Sequence, residues 1–348
     1  MATMQEVAKR AGVSKATVSR VLTGKGYVSE ETKTRVFQAI SESGYRPNLL
    51  ARSLASSTTQ TLGLVVTNTL YHGVYFSELL SHAARMTEDK GRQLLLADGK
   101  HSAEEERQAI QYLLDLRCDA VIIYPRFLSV DELDAIIDSH TQPIVVLNRR
   151  LRKNLSHCVF CDQHAASQQA VSALIARGHR DIALITGSLD SPTGIERLSG
   201  YKDALQQQGI AVRNELIVEG KWTPQSGALG VRELLERKVS FSALVASNDD
   251  MAVGAIKQLH DSGIAIPSQV SVVGFDDIAM APFTVPALSS VKIPVTGMIK
   301  ETINRLIFML DGGDFTLQST FPGELILRDS ITSGPCAWGV SRHRHFCR

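Results

Sequence analysis

Apolar positions recur at helical spacing near the start of the chain and indicate three short helices. Thr3 begins a capping box, and the apolar positions after it share one helical face for about two turns. Ser14 can cap a second helix across a tight glycine turn, and Ser29 can cap a third that ends at Gly44. This arrangement predicts an all-α helix-turn-helix head.

The segment after this head, which we place at residues 1–46, has a different pattern. Pro47 prevents the third helix from continuing, and residues 49–55 form a helix candidate that is too short to be stable alone in water. The polar residues 56–61 have the composition of a flexible linker. Residues 47–61 are therefore predicted to be a hinge helix and linker, and the hinge helix should fold only on a partner.

Beyond residue 61, strand-like apolar runs alternate with amphipathic helical stretches, which is typical of an α/β body with parallel sheets covered on both faces. The strands fall in two successive sets, at residues 62–66, 93–97, 120–124 and 144–147, and at residues 182–186, 243–247 and 270–275. The helices between them are expected at residues 76–90, 103–116, 130–139, 165–177, 195–208, 227–237 and 251–261. Two similar sets predict a two-lobed core with a ligand cleft over residues 62–332, followed by a disordered tail at residues 333–348.

The composition is that of an ordinary soluble protein, with 44% hydrophobic and 21% charged residues among 348. No apolar run approaches the roughly 20 residues that a membrane span needs, and the first residues lack the pattern of a signal peptide. We therefore expect a cytoplasmic protein with no membrane partner. The five cysteines are scattered, and Cys158 and Cys161 would point to opposite faces of a strand, which favours packing over a metal site.

Charge is distributed unevenly along the chain, although the formal total is only +1. Residues 1–57 carry nine lysines and arginines against four acids, a net charge of +5, and the remaining 28 basic and 32 acidic residues give −4. A basic head on a slightly acidic body suits a module that binds DNA phosphates, although a solvated surface could have the same charge.

The second helix is the candidate for DNA recognition, because in a helix-turn-helix unit its N-terminal turns enter the major groove of double-stranded DNA. Lys15 and Arg20 can donate hydrogen bonds to guanine, and Ala16 can contact a thymine methyl group. The alternative is a small helical domain with a basic surface. Phosphate oxygens are suitable partners for the hydroxyl groups of Ser14, Thr17 and Ser19.

The same segment carries a dense resemblance to a known family. Residues 6–22, 28–29 and 44–48 resemble the head of the LacI/GalR family of bacterial repressors, and residues 48–55 are similar to the family's hinge helix. The resemblance implies that two hinges pair in the minor groove of the operator, where a leucine at the position of Leu54 wedges between base steps. The hinge residues assigned to DNA binding in this way are Asn48, Ala51 and Leu54.

Polar residues follow the predicted strands of the body, and ligands of open parallel sheets bind at these carboxyl ends. The pairs at residues 148–149, 248–249 and 276–277 each follow a strand. Their amide and carboxylate groups can hydrogen-bond to sugar hydroxyls, Arg197 adds a fork of donors, and Trp222 offers an apolar face to a pyranose ring.

The body as a whole resembles the sugar-binding core of the same family, which has the two-lobed, periplasmic-binding-protein-like (type I) fold. By this resemblance, a sugar effector is contacted by Arg197, Asn248 and Asp276. Helix N-capping is the alternative role for acids after a strand, and we expect it of Asp249 or Asp250. Further positions that line the cleft in the family are matched by Tyr75, Phe76, Asn148 and Trp222.

Two other classes of protein share parts of this pattern. An enzyme acting on a sugar or nucleotide could use paired acids such as Asp276 and Asp277, but the sequence has no phosphate-binding glycine motif, nucleophile constellation or metal motif. A transport binding protein has the same two-lobed body, but it needs a signal peptide and has no DNA-binding head. We therefore predict an allosteric transcriptional repressor with no catalytic residues and no cofactor.

The expected partners are operator DNA, a small sugar effector and a second copy of the chain, because two heads must read two half-sites. The tail has no leucine heptad of the kind that makes tetramers, so a homodimer is expected. Residues 67–73 and 94–101 resemble family members that regulate β-glucoside operons (arbutin, salicin or cellobiose). That resemblance implies a β-glucoside effector, either free or phosphorylated.

Overall fold

The computed structural model describes residues 2–23, 26–45, 58–68, 73–312 and 318–335. The chain divides into two units, Met1–Thr59 and Gln60–Arg348. The described helices of the smaller unit are α1 (Met4–Ala11), α2 (Lys15–Thr23) and α3 (Glu30–Ser43).

Local capping explains where the first helix begins and ends. The Thr3 hydroxyl accepts a hydrogen bond from the Glu6 backbone, and the Glu6 carboxylate accepts one from the Thr3 backbone at 2.8 Å. Gly12 then ends the helix with φ of 65°, a conformation that glycine adopts without strain. The capping box is therefore confirmed. The core between the helices takes one completely buried valine from each, Val7, Val18 and Val36.

In its described residues, the larger unit contains two sheets of six strands each, surrounded by helices. The strands are β1 (Thr61–Val66), β2 (Gln93–Asp98), β3 (Ala120–Tyr124), β4 (Ile144–Leu147), β5 (Cys158–Cys161), β6 (Ile182–Thr186), β7 (Ile217–Glu219), β8 (Ala243–Ala246), β9 (Ser271–Asp276), β10 (Ser289–Lys292), β11 (Thr320–Phe321) and β12 (Glu324–Ile326). The helices are α4 (Val74–Asp89), α5 (Ala103–Asp115), α6 (Val130–Ser139), α7 (Gln163–Ala176), α8 (Pro192–Gln207), α9 (Pro224–Glu236), α10 (Asp249–Asp261) and α11 (Val295–Asp311).

Each sheet forms the centre of one lobe. The first has the strand order β11-β5-β4-β3-β1-β2 and the second has the order β12-β10-β9-β8-β6-β7. Neighbouring strands pair in parallel, except that β12 runs antiparallel to β10. The predicted two-lobed α/β body is therefore confirmed.

Burial on both faces explains why the strands appear in the sequence as continuous apolar runs. Along β3, Ala120 and Ile122 pack into one buried cluster, whereas Val121 and Ile123 pack into another on the opposite face of the sheet. The same alternation separates Cys161 from Cys158 along β5. The prediction that these two thiols point to opposite faces is therefore correct.

The two lobes are interleaved along the chain. It crosses from the first lobe to the second between β5 and α7, returns between β10 and α11, and crosses again between β11 and β12. β5, β7 and the last three strands were not assigned from the sequence. They are two to four residues long and, apart from β5, lack the continuous apolar run of the equally short β4 and β8. The return of the chain to the first lobe was therefore missed.

Arg305 of α11 fixes one of these crossings. Its guanidinium is completely buried and donates to the carbonyl oxygens of Ser156 at 3.0 Å and Cys158 at 2.7 Å. It also forms an ion pair with Glu301, one turn earlier in the same helix, at 2.7 Å. Because a buried charge is stable only when it is paired, these contacts hold α11 against β5.

His179 should make stability depend on pH. Its ring is almost completely buried, 2.9 Å from the Ser242 hydroxyl and 3.1 Å from the Thr332 carbonyl, and burial lowers its pKa below the usual 6.5. Between the lowered pKa and about 6.5, the unfolded chain binds more protons than the folded one, so stability decreases as the pH falls through this range.

His179→Gln should therefore flatten the dependence of the free energy of unfolding on pH below about 6.5, as measured by urea denaturation. The matched control is His260→Gln, because the His260 side chain is 86% exposed. An unchanged slope in His179→Gln would contradict the assignment.

The described parts of the chain contain no helix that is both long and apolar enough to cross a membrane.

Candidate functional site

Helix α2 presents the side chains predicted to read DNA. Lys15, Ala16 and Arg20 are exposed, whereas Val18 and Val21 of the same helix face the core. The three residues predicted to contact phosphates, Ser14, Thr17 and Ser19, lie on α2 or at its cap. The Ser14 hydroxyl oxygen accepts a hydrogen bond from the Thr17 backbone at 3.1 Å, and the side chains of Thr17 and Ser19 are half-buried. The hinge residues Asn48, Ala51 and Leu54 lie outside the described residues.

A cavity of about 630 Å³ lies between the two lobes, at the carboxyl ends of their strands. The structure brings six of the seven predicted effector residues to its lining, Tyr75, Asn148, Arg197, Trp222, Asn248 and Asp276. The seventh, Phe76, is absent from this lining and packs against the buried cluster beneath it. Consecutive residues of a helix point about 100° apart, and on α4 it is Tyr75 that is directed to the cavity.

The wall contributed by the first lobe is a pair of tyrosines joined to an amide. The Tyr124 hydroxyl donates to that of Tyr75 at 3.4 Å, and the two rings meet edge to face at 6.3 Å. The Asn148 amide donates to Tyr124 at 2.6 Å. Burial raises the pKa of both tyrosines, so their hydroxyls stay protonated.

The chain of hydrogen bonds continues into the second lobe. Gln163 donates from its amide to the Asn148 side-chain oxygen at 3.1 Å and accepts from Arg197 Nε at 2.9 Å. The Arg197 guanidinium also donates to the Ser247 carbonyl oxygen and, at 3.4 Å, to Asp276. The polar groups of the cavity are thus held in place before any ligand arrives, which reduces the entropy lost on binding.

Asp276 ends this chain at the last residue of β9. Burial raises the pKa of its carboxyl group, while the neighbouring Arg197 guanidinium opposes the rise. That guanidinium lies over the Phe275 ring at 4.3 Å, which fixes it from the opposite side. Because the contact between Arg197 and Asp276 is long, the Asp276 carboxylate can still accept hydrogen bonds from a ligand.

Trp222 can line the cavity because a glycine lies beneath its ring. A β-carbon placed on Gly187 would come within 1.9 Å of the indole, so any larger residue there would displace it. Asn248 holds the same segment, since its amide donates to the Trp222 carbonyl at 3.0 Å. Trp222 itself has φ of 63°, in the left-handed region that is uncommon for large side chains.

The capping prediction for the acids after β8 is wrong. Asn248 caps α10, because its side-chain oxygen accepts from the Met251 backbone at 2.9 Å. Asp249 is buried in the second lobe, where it accepts from the Ile278 backbone and the Ser290 hydroxyl. An asparagine side chain accepts the same hydrogen bond as an aspartate, so the sequence alone did not separate these candidates.

The acid next to Asp276 does not share its site. Asp277 forms an ion pair with Arg328 at 2.6 Å and is absent from the lining of the cavity. The two acids therefore do not form the pair that an enzymatic mechanism of the predicted kind would need.

Several lining residues were missed from the sequence. Tyr124 ends a predicted strand and could have been found by the strand-end rule, but Gln163 has no such signal. Arg126 was missed as well, and it forms an ion pair across the cavity with Asp190 of the second lobe at 2.7 Å. The contact depends on a fold that joins residues 64 positions apart.

The Arg126 loop is positioned by a buried acid. Glu106 of α5 is completely buried, and its carboxylate accepts from the backbone N–H groups of Arg126, Phe127 and Leu128 at 2.7, 3.0 and 2.9 Å. Three such bonds fix the turn after β3, and with it the direction in which Arg126 extends.

Two family models match the chain. The one described as "Bacterial regulatory proteins, lacI family" matches residues 3–48, and the one described as "Periplasmic binding protein-like domain" matches residues 171–331. The first agrees with the three-helix head, and the second covers most of the second lobe.

Relatives and solved structures extend the similarity to nearly the whole chain. The HTH-type transcriptional regulator AscG of Escherichia coli K12 is 75% identical over 331 residues, which cover 95% of this chain and 98% of that protein. The lac repressor dimer bound to operator and the anti-inducer ONPF has a TM-score of 0.85 at 26% identity, covering 95% of this chain and 99% of that one. The regulator CelR in complex with cellobiose has a TM-score of 0.68 at 31% identity, covering 95% and 100%. The chain therefore belongs to the LacI/GalR family of DNA-binding transcriptional regulators.

Proposed function

We propose that this protein represses transcription by binding an operator through its head and is released when a small sugar occupies the cavity of its body. The observation that carries the proposal is the preformed line of hydrogen bonds from Tyr75 to Asp276, which crosses from one lobe to the other. A ligand held by both ends of this line would favour one arrangement of the lobes. Such coupling is typically worth about 1–3 kcal/mol per effector.

A β-glucoside is the effector class that we propose. The cavity volume lies within the roughly 300–1,000 Å³ of sites that enclose small molecules. Trp222 offers an apolar face to a sugar ring, and Asp276 with Asn148 offers acceptors and donors to its hydroxyls. The similarity to CelR, whose structure holds cellobiose, supports the same class.

The protein should act as a homodimer on double-stranded operator DNA, because two heads are needed for two half-sites. The similarity to the lac repressor dimer on its operator supports this proposal. We further propose that the protein works in the cytoplasm, on the nucleoid while bound. Residues 1–46 would read the DNA, 47–61 form the hinge, and 62–332 bind the effector and the second copy.

A gel shift with the operator tests the proposal as a whole. Binding should weaken steeply with salt, and a β-glucoside should release the DNA without itself being chemically changed. Turnover of the sugar would favour an enzyme, and the absence of salt-dependent binding to any operator would contradict a repressor.

Leu54→Ala tests the proposed hinge. Loss of an apolar wedge that inserts between base steps should weaken operator affinity by roughly tenfold or more, since burying a leucine is worth about 1.5–3 kcal/mol. Gel-shift affinity and DNA bending should fall together. Leu49→Ala is the control in the same segment. Unchanged affinity and bending in Leu54→Ala would contradict the hinge assignment.

A further inference from the structure

The lining of the cavity has more cations than carboxylates. Among the described residues it contains Arg126, Arg149, Arg197 and Lys221, against two carboxylates, those of Asp250 and Asp276. A binding site for a neutral sugar needs donors and acceptors but no excess of positive charge. The partners of each lining cation therefore decide whether any positive charge is left for an anionic group of the ligand.

Two of the arginines already have acidic partners. Arg197 is paired with Asp276, and Arg126 is paired with Asp190. Lys221 is exposed to solvent, where its charge is well hydrated. Arg149 is therefore the lining arginine that forms no ion pair among the described residues.

Arg149 lies two residues beyond the end of β4 and is half-buried. Its Nε atom is shielded from solvent and has no hydrogen-bond partner among the described residues. The Arg149 side chain also forms no ion pair with any of these residues. The terminal nitrogen atoms of the same guanidinium are not shielded in this way, so a ligand group in the cavity could bind the charge through them. Among common anions, a phosphoryl or carboxylate group fits a guanidinium best, because its oxygens match the fork of donors.

Two acids lie close enough to influence Arg149, Glu106 and Glu196. The Glu106 carboxylate is already bonded to three backbone N–H groups, and Glu196 of α8 is exposed and makes no hydrogen bond to the guanidinium. They reduce the positive potential around Arg149 without occupying its donors. A bound anion would have to compete with the charge of Glu196.

We propose that Arg149 forms an anion subsite in the effector cavity, and that the effector is a phosphorylated sugar whose phosphoryl group binds there. The inference rests on the proposed function, because it concerns the same cavity, and it specifies the ligand class further. The sugar ring would then lie toward Trp222 and Asp276, with the phosphoryl group directed to the end of β4.

The test compares salicin, salicin 6-phosphate and inorganic phosphate by calorimetric titration of the full-length protein. The wild type should bind the phosphorylated sugar at least about tenfold more tightly than the neutral one. Arg149→Gln should lose this preference, and Arg149→Lys should keep part of it. Arg232→Gln is the matched control, because Arg232 is exposed on α9 and lies outside the cavity.

Glu196→Gln supplies a variant that should act in the opposite direction. Removing this nearby negative charge should strengthen binding of salicin 6-phosphate severalfold and leave salicin unchanged. Misfolding would weaken the binding of salicin 6-phosphate in both variants. It could not increase the preference for the phosphorylated sugar in Glu196→Gln and abolish the same preference in Arg149→Gln.

The remaining outcomes separate the subsite from the proposed function. Equal affinity for both sugars in the wild type, with release of the operator by each, would overturn the subsite and leave the function intact. Inorganic phosphate binding as tightly as the sugar phosphate, with no effect of Arg149→Gln, would mean an adventitious ion only. Failure of both sugars to bind or to release the operator would contradict the proposed function together with the subsite.

Discussion

Asp276→Asn should produce a protein that still binds its operator but no longer responds to the effector. The Asp276 carboxylate is the acceptor at the end of the hydrogen-bonded line, and Arg197 keeps it oriented. Loss of one or two hydrogen bonds to a charged group, each worth about 1.5–3 kcal/mol, should weaken effector binding by roughly 100-fold. Calorimetric titration would measure this loss, and the gel shift should show normal operator affinity.

The matched control is Asp277→Asn, one residue further along the chain. Asp277 pairs with Arg328 and is absent from the lining of the cavity, so its loss should lower stability and leave the response to effector unchanged. If Asp276→Asn were released from the operator at the wild-type effector concentration, the cavity would not be the effector site.

Arg305→Ala should reduce the free energy of unfolding by about 3–5 kcal/mol, the range expected when one partner of a buried ion pair is removed. The variant would remove the partner of the Glu301 carboxylate and the hydrogen bonds that Arg305 donates to the carbonyls of Ser156 and Cys158. Urea denaturation followed by circular dichroism would measure the loss.

Lys300→Ala is the control, because it replaces a basic residue by alanine on the same helix as Arg305. Lys300 lies on the exposed side of α11, so its replacement should shift the free energy of unfolding by no more than about 0.5 kcal/mol. A similarly small shift for Arg305→Ala would show that its hydrogen bonds do not hold the crossing together.

The head could be predicted almost completely from the sequence, because its signals are local. Thr3 and Glu6 are three residues apart and satisfy each other's backbone groups, and Gly12 and Gly44 end helices in the left-handed conformation. No distant part of the chain is needed for these contacts. The periods of the longer strands and helices in the body are local signals of the same kind.

The rule for strand ends located only part of the site, and the resemblance to the family supplied Tyr75, Arg197 and Trp222. Asn148 comes directly after β4, and Asp276 is the last residue of β9. Both were located because ligands bind at the carboxyl ends of parallel strands. Gln163 and Arg126 owe their positions to the fold, which joins α7 to the end of β4 and the turn after β3 to the second lobe. Contacts between residues so far apart leave no periodic trace in one sequence.

The interleaved lobes also determine the order in which parts of the protein can mature on the ribosome. The helices of the head are complete once Ser43 has been made, whereas the first sheet must wait for β11, about 280 residues later. At roughly 5–20 residues per second, this interval lasts about 15 to 60 seconds. Each nascent chain therefore carries a finished head well before either lobe of its effector-binding body can close.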